Sequence, residues 1–228
     1  MKIGIDARSI LNPEKGDAIG IGHYTYQLIR HLLKNDTENE YVIFFDFRVR
    51  EKDIKKFTRS NVKIKFYPFS DYKKYLPGAY SEILGTATLQ KEKLDVLHAT
   101  SASNRIPTGY NGKTVITFHD MAMFNIPQFL PAVKRVRDKT VAKLMAHKAD
   151  KIIAVSEALK NDVQKFLGVG EEKISVIYSG LDERFFEQSQ TDDGKVLGKY
   201  DISKKYSAAS QSIFFVQTET ETKKFRQV

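Results

Sequence analysis

Two histidines of this sequence stand where strand-like runs give way to polar residues. His119 ends the β-branched and aromatic run Thr114–His119 and is followed by Asp120. An imidazole beside a carboxylate can act as a base, a hydrogen-bond donor or a partner for a hydroxyl group. Neighbouring residues of a strand point to opposite faces, so Asp120 need not orient His119. The alternative is that His119, like His98 between Leu97 and Ala99, is only hydrogen-bonded within the fold.

Other polar residues follow strand-like runs in the same way. They are Asp6 and Arg8 after Lys2–Asp6, Thr100 and Ser101 after Leu94–His98, Ser156 and Glu157 after Ile152–Val155, and Tyr178 and Ser179 after Ile174–Ile177. In an open parallel sheet, ligands bind at the carboxyl ends of the strands. These side chains, with His119 and Asp120, are therefore expected on one rim of a sheet.

A glycine-containing loop precedes the first helical pattern. Gly16, Gly20 and Gly22 lie just before or within its start. Glycine lets backbone amides approach a phosphate, and a helix N-terminus adds partial positive charge. The spacing matches neither the dinucleotide fingerprint nor a Walker A loop. The loop therefore suggests either a phosphate contact of another kind or a turn that uses glycine for positive φ angles.

The elements that must position these residues alternate along the chain. Further strands are predicted at Tyr41–Phe45 and Val62–Phe66, and helices at Tyr80–Lys91 and Ala132–Lys148. Ser156 is a good N-cap for a helix through Leu167, with Gly168 just past its end. Strands alternating with helices over long connections predict an α/β fold: a Rossmann-like, mostly parallel sheet with helices on both faces.

The helix Ala132–Lys148 carries an apolar stripe among basic residues. The stripe is Val133, Val136, Thr140 and Leu144. A helix that packs on a sheet needs such a stripe, and we expect this one to face the core. A basic amphipathic helix that lies on an anionic bilayer is the alternative.

Composition narrows the classes of function. The chain has 228 residues, 41% hydrophobic residues, no cysteine and a net charge of +9 with a pI near 9.4. Disulfides, thiolate metal sites and a cysteine nucleophile are excluded, and no acid–histidine pair has metal-ligand spacing. The charge favours phosphate-bearing substrates or anionic lipid, and no nucleic-acid motif accompanies it. The N-terminus does not resemble a signal peptide, so we expect a cytoplasmic protein or one peripheral to the inner face of the membrane.

Several motifs, in this order, resemble the retaining GT-B glycosyltransferases of family four. They are Met1–Arg8, Gly20–Thr25, Asp95–His98, Thr117–Met121, Ala149–Glu157 and Val176–Asp182. The resemblance implies one half of a GT-B fold, sugar transfer from a nucleotide-diphosphate sugar to a glycan or lipid-linked acceptor with retained configuration, and no cofactor or metal.

Site roles follow from the same resemblance. It implies that Gly20 and Gly22 approach the donor diphosphate and that His119, the expected catalytic residue, contacts the transferred sugar. Asp6, Arg8, His98, Asp120, Ser156 and Glu157 are expected in the acceptor-side cleft.

The resemblance covers roughly residues 1–186 and then stops. We expect residues 1–186 to form the glycosyltransferase N-terminal domain, 187–212 a linker, and 213–228 a disordered vestige of a donor-binding domain. Gln217 stands where such enzymes carry glycine, and the paired-glutamate motif of that domain has no counterpart. The chain alone is therefore expected to be inactive. The alternatives are a binding module that pairs with a separate donor-domain chain, and an inert remnant.

Overall fold

The computed structural model describes residues 1–11, 20–67, 79–125, 131–180, 206–210 and 214–218. The chain divides into two compact units, Met1–Ser179 and Gly180–Val228. The first carries all the residues predicted to form the site.

The first unit is built on a seven-stranded sheet of order β3-β2-β1-β4-β5-β6-β7. Every neighbouring pair of its strands is parallel. The strands are β1 (Lys2–Asp6), β2 (Glu40–Asp46), β3 (Val62–Tyr67), β4 (Val96–Ala99), β5 (Thr114–Phe118), β6 (Lys151–Ala154) and β7 (Ile174–Val176). The predicted Rossmann-like α/β fold is confirmed.

Six α-helices lie in the described part of this unit: α1 (Gly20–Asn35), α2 (Glu51–Ile54), α3 (Ala79–Lys91), α4 (Ala122–Asn125), α5 (Ala132–Lys148) and α6 (Glu157–Leu167). The caps predicted for α6 are confirmed. Ser156 accepts a hydrogen bond from the amide of Leu159, and Gly168 ends the helix in the left-handed conformation at φ 69°.

The core is split between the two faces of the sheet. Alternating residues of β2 show this, because Ile43 packs in one apolar cluster and Phe44 in the other. Ile29 of α1 joins the cluster of Ile43, whereas Met145 of α5 and Val163 of α6 join that of Phe44. Helices therefore cover both faces, as the alternation of elements predicts.

The order of the strands fixes where a ligand can enter. β1 pairs with β2 on one side and with β4 on the other. The chain thus builds outward from β1 in both directions, and α1 and α5 lie on opposite faces of the sheet. Such a switch point opens a crevice at the carboxyl ends of the strands.

The expectation that the stripe of α5 faces the core is wrong. Val133 and Val136 are exposed, whereas Ala142, Met145 and Ala146 are buried. The small side chains of Ala142 and Ala146 let the helix approach the sheet closely. The longer aliphatic residues are left on the opposite side.

The second unit contains a two-stranded antiparallel sheet of β8 (Tyr206–Ser210) and β9 (Phe214–Thr218). β8 lies inside the segment expected to be a linker, 187–212, and β9 lies in the segment 213–228. The run Phe-Phe-Val of β9 has high strand propensity, whereas Ser-Ala-Ala-Ser of β8 has little and forms a strand by pairing with it. Residues 181–205, 211–213 and 219–228 lie outside the described residues.

Candidate active site

Asp6 and Arg8, at the carboxyl end of β1, form a buried ion pair. The Arg8 Nε donates to both Asp6 carboxylate oxygens at 2.9 and 3.1 Å, and Nη2 donates to Oδ2 at 2.6 Å. Nη2 also donates to the carbonyl of Arg105, and the guanidinium lies 4.1 Å from the ring centroid of Tyr67. Burial opposes the charge of Arg8, but Asp6 outweighs it, so the pKa of Arg8 lies above its ordinary value. Both residues reach the predicted rim, where they bind each other.

A relay of hydroxyl groups ties α1 to this end of the sheet. The Thr100 hydroxyl donates to the carbonyl of Asp6 at 2.8 Å. Thr25 of α1 donates to Thr100 at 2.9 Å, and Ser9 lies 2.9 Å from Thr25. Thr25 and Thr100 are both fully buried. Because buried hydroxyl groups need partners, the relay fixes the first turns of α1 against β1 and β4.

His119 lies directly beyond β5 and is held by two contacts. Its Nε2 is 2.8 Å from the carbonyl of Thr100, so Nε2 carries the hydrogen and donates. Tyr24 of α1 packs edge-on against the ring, with centroids 4.6 Å apart. Burial lowers the pKa of His119 below its usual value, although the Thr100 carbonyl and Asp120 oppose that shift. His119 is therefore a neutral imidazole near pH 7, and its Nδ1 can accept a hydrogen bond from a hydroxyl group.

His98 lies on β4 and is bonded to a residue of the neighbouring strand β5. Its Nε2 is 2.8 Å from the hydroxyl of Thr117, and the Thr117 side chain also opposes the rise that burial causes in the pKa of Tyr24. Burial lowers the pKa of His98 to about 4, and nearby His119 adds to the effect. Tyr24 thus lies near both His119 and Thr117, the hydrogen-bond partner of His98.

The two predicted glycines lie in the first turn of α1. The helix begins at Gly20, whose φ of 66° favours glycine, and Gly22 follows two residues later. Tyr24, one turn beyond Gly20, is the residue that packs on His119. The glycine turn and His119 are therefore brought to the same end of the sheet. The loop before Gly20 lies outside the described residues.

The remaining predicted residues lie along the same rim but start helices. Asp120 Oδ1 accepts a hydrogen bond from the amide of Ala122 at 2.9 Å, at the start of α4. Ser156 caps α6, and Glu157 is exposed in its first turn. Asp120 does not touch His119 through a hydrogen bond in this arrangement, and it is exposed to solvent.

A family model for "Glycosyltransferase Family 4" matches residues 19–185. The chain belongs to glycosyltransferase family 4. The match includes α1, His98, His119 and α6, whereas Asp6 and Arg8 precede it.

Solved glycosyltransferases have a similar fold. HepE from Anabaena, crystallised with UDP and glucose, is 18% identical with a TM-score of 0.55, and the match covers 92% of this chain and 54% of HepE. Lipopolysaccharide outer core galactosyltransferase WaaB is 15% identical with a TM-score of 0.51, covering 80% of this chain and 46% of WaaB. The family 4 chain thus spans about half the length of these structures. No curated protein sequence matched it.

Sequence patterns do not predict three residues of this family 4 site. Tyr24 and Thr25 fit the apolar period of α1 and read as core positions, and Thr117 reads as an ordinary strand residue. A usable signal is that each places a hydroxyl on the sheet-facing side of an element, where an unpaired polar atom is costly.

Neither a metal centre nor a membrane span is found in the described part of this family 4 chain. No group of three or more His, Asp or Glu residues there is arranged to hold a metal ion. No described helix has the length and apolar character required to cross a bilayer.

Proposed function

We propose that this chain supplies the acceptor-side wall of a glycosyl-transfer site. In that reaction, a sugar passes from a nucleotide-diphosphate donor to a glycan or a lipid-linked acceptor with retained anomeric configuration. The observation that carries the proposal is the meeting of His119 and the first turns of α1 at the β1–β4 switch point. Family membership supports transfer of a sugar as the reaction class.

Each group has a distinct part in the proposed reaction. The amides at Gly20 and Gly22 have no carbonyl one turn before them in the helix, so they can donate to a diphosphate, and the helix dipole favours its charge. His119 Nδ1 accepts a hydrogen bond from a hydroxyl of the transferred sugar. The amides stabilise negative charge on the leaving diphosphate, and this stabilisation lowers the activation barrier for sugar transfer.

The other predicted residues act less directly. Asp6 and Arg8 hold the rim, since their charges are engaged with each other. His98 is bonded to Thr117, which lies near Tyr24. Asp120, Ser156 and Glu157 border the acceptor side, where the exposed carboxylates of Asp120 and Glu157 can bind acceptor hydroxyls.

A donor needs contacts from both walls of such a cleft. We therefore propose that the chain alone binds donor weakly and has negligible transferase activity, because preorganised contacts to the leaving group would come from a second domain. A transfer and donor-hydrolysis assay tests this part. Turnover well above background would overturn it.

Binding measurements test the site itself. UDP-glucose is the first probe, because HepE has been crystallised with it. The substitution His119→Gln should weaken UDP-glucose binding about five- to tenfold, the effect of one or two hydrogen bonds. It should leave UDP binding unchanged, because His119 is proposed to contact the sugar.

The matched control is His147→Gln on α5, whose ring is exposed and bonded to the carbonyl of Lys143. It should change neither affinity. Equal loss of UDP and UDP-glucose binding in the His119→Gln variant would contradict the assigned role. If UDP-glucose does not bind, the same comparison with other nucleotide-diphosphate sugars separates a wrong donor from a wrong site.

A further inference from the structure

The outward face of α5 carries aliphatic side chains that contact no core. Val133 is 85% exposed, Val136 63% and Leu144 40%. The buried face of the same helix holds Ala142, Met145 and Ala146. The helix therefore has two apolar sides, only one of which is used by the fold. An apolar strip left in water on a surface helix points to a partner.

The geometry of the helix makes the strip continuous. At 100° per residue, Val133, Val136 and Leu144 lie within about 80° of one another, roughly opposite the buried alanines. Thr140 lies between them, and its hydroxyl donates to the carbonyl of Val136 at 2.9 Å. With its donor satisfied, Thr140 adds its methyl group to the strip, which extends about 16 Å along the helix axis.

Basic residues flank the strip. Lys134 and Lys143 are exposed on either side of it, and Arg137 is paired with Asp138, the one acidic residue of the helix sequence. Two flanking lysines beside an aliphatic strip form a surface that is complementary to negative charge. The net charge of the whole chain, +9, adds to the attraction.

From the combination of an aliphatic strip with flanking lysines, we infer that α5 docks on an anionic lipid surface. Its outward strip enters the boundary between headgroups and acyl chains, while Lys134 and Lys143 contact anionic headgroups. A second protein fits less well. A stable protein interface buries at least about 1,000 Å² with aromatic anchors, whereas this strip is short and purely aliphatic. A bilayer requires only shallow insertion and neighbouring positive charge.

The two ends of α5 lie toward opposite edges of the sheet. The end of α5 lies at the amino side of the sheet, where the amide of Asp150 bonds to the carbonyl of Thr114 at the start of β5. Val133 and Val136 are at the opposite end of the helix, toward the rim that carries His119. This docking surface is independent of the proposed sugar transfer, because membrane binding requires no donor and no turnover.

Co-sedimentation of the full chain with vesicles tests the inference. We expect binding to phosphatidylcholine vesicles that contain about one third phosphatidylglycerol and little binding to phosphatidylcholine alone. Val133→Ser with Val136→Ser should weaken binding on the order of tenfold through lost apolar burial. Lys134→Gln with Lys143→Gln should weaken it about 25-fold, since each basic residue near such a surface contributes about fivefold.

The control variant is Ile83→Ser, which removes an apolar side chain that is 67% exposed on α3. It should bind like the unmodified chain. Urea unfolding of every variant shows whether the fold is retained, which is expected because all the altered side chains are exposed. Equal binding to neutral vesicles, unchanged binding by both double variants, or a dimer in sedimentation velocity that the valine variant dissociates would each overturn the inference.

Discussion

Replacing Arg8 by methionine should lower the free energy of unfolding more than the loss of an ordinary surface charge does. The change removes the guanidinium donors from both oxygens of the Asp6 carboxylate, which is buried at the end of β1, and leaves only the backbone amide of residue 8 on Oδ1. Removing one member of a buried ion pair costs about 3–5 kcal/mol, because the remaining charge is left uncompensated. The contact of the guanidinium with Tyr67 adds about 0.5–2 kcal/mol. We therefore expect a loss of at least 3 kcal/mol, roughly, in the free energy of unfolding.

The chain provides its own control in a second Asp-x-Arg motif. Arg48 donates to Asp46 from Nε at 2.7 Å and from Nη2 at 3.0 Å at the end of β2, but its side chain is 57% exposed, against 19% for Arg8. Arg48→Met should cost no more than about 1 kcal/mol, because exposed ion pairs contribute little.

Urea denaturation followed by circular dichroism measures both changes. The single variant Asp6→Asn and the double variant Asp6→Asn with Arg8→Met complete a double-mutant cycle. The double variant should be more stable than Arg8→Met alone, since it removes the unpaired charge. A cost below about 1 kcal/mol for Arg8→Met would refute the reasoning, because it would show that Asp6 is not electrostatically dependent on Arg8.

Two further predictions concern stability. Ser156→Ala should lower the free energy of unfolding by about 1 kcal/mol through loss of the cap of α6, whereas Ser156→Asp should largely retain it; thermal melts of the two variants check this. The folded pKa of His98, about 4, lies below the unfolded value near 6.5, so the unfolded chain takes up the proton first. Stability should accordingly fall as pH drops from about 6.5 to about 4, by up to about 3 kcal/mol from this group, and stay level above pH 7. Urea midpoints at pH 5 and pH 7.5 should differ less in His98→Gln than in the unmodified chain, and an equal difference would contradict the account.

The fold follows from patterns that single stretches of sequence contain. The β-branched runs, the three-and-four spacing of α1 and the caps of α6 are local features, and their alternation leaves a parallel sheet as the natural solution. The polar residues after the strands reach one rim for the same reason. Even the boundary of β5 differs from the expectation only in that the strand ends at Phe118, one residue before His119.

The contacts within the site could not be obtained in that way. The pairing of Asp6 with Arg8 depends on the turn after β1 and on Tyr67, which comes from a strand two positions away in the sheet. The hydrogen bond from His119 to the carbonyl of Thr100 joins residues from the ends of adjacent strands. Periodicity assigns a residue to a face of an element but does not say which atoms meet across elements.

The outward face of α5 illustrates a second limit. A stripe of apolar residues identifies a helix with one buried side, but α5 has two candidate sides, and the sequence favours the one with the larger residues. The sheet selects the side of Ala142 and Ala146 because small residues permit close packing. The side that is buried therefore depends on how its side chains, Met145 among them, fit the partner surface, and not on hydrophobicity alone.

The central claim, that a donor binds at the β1–β4 rim, is tested most directly by titrating the isotope-labelled chain with UDP-glucose and following backbone amide shifts. We expect the largest shifts at Gly20–Tyr24, Thr100 and His119. Lys2, Lys63 and Lys65 surround the buried carboxylate of Glu92, and this basic cluster is the alternative location to which a diphosphate could be attracted. Shifts centred on those lysines, with Gly20–Tyr24 unmoved at saturation, would contradict the account.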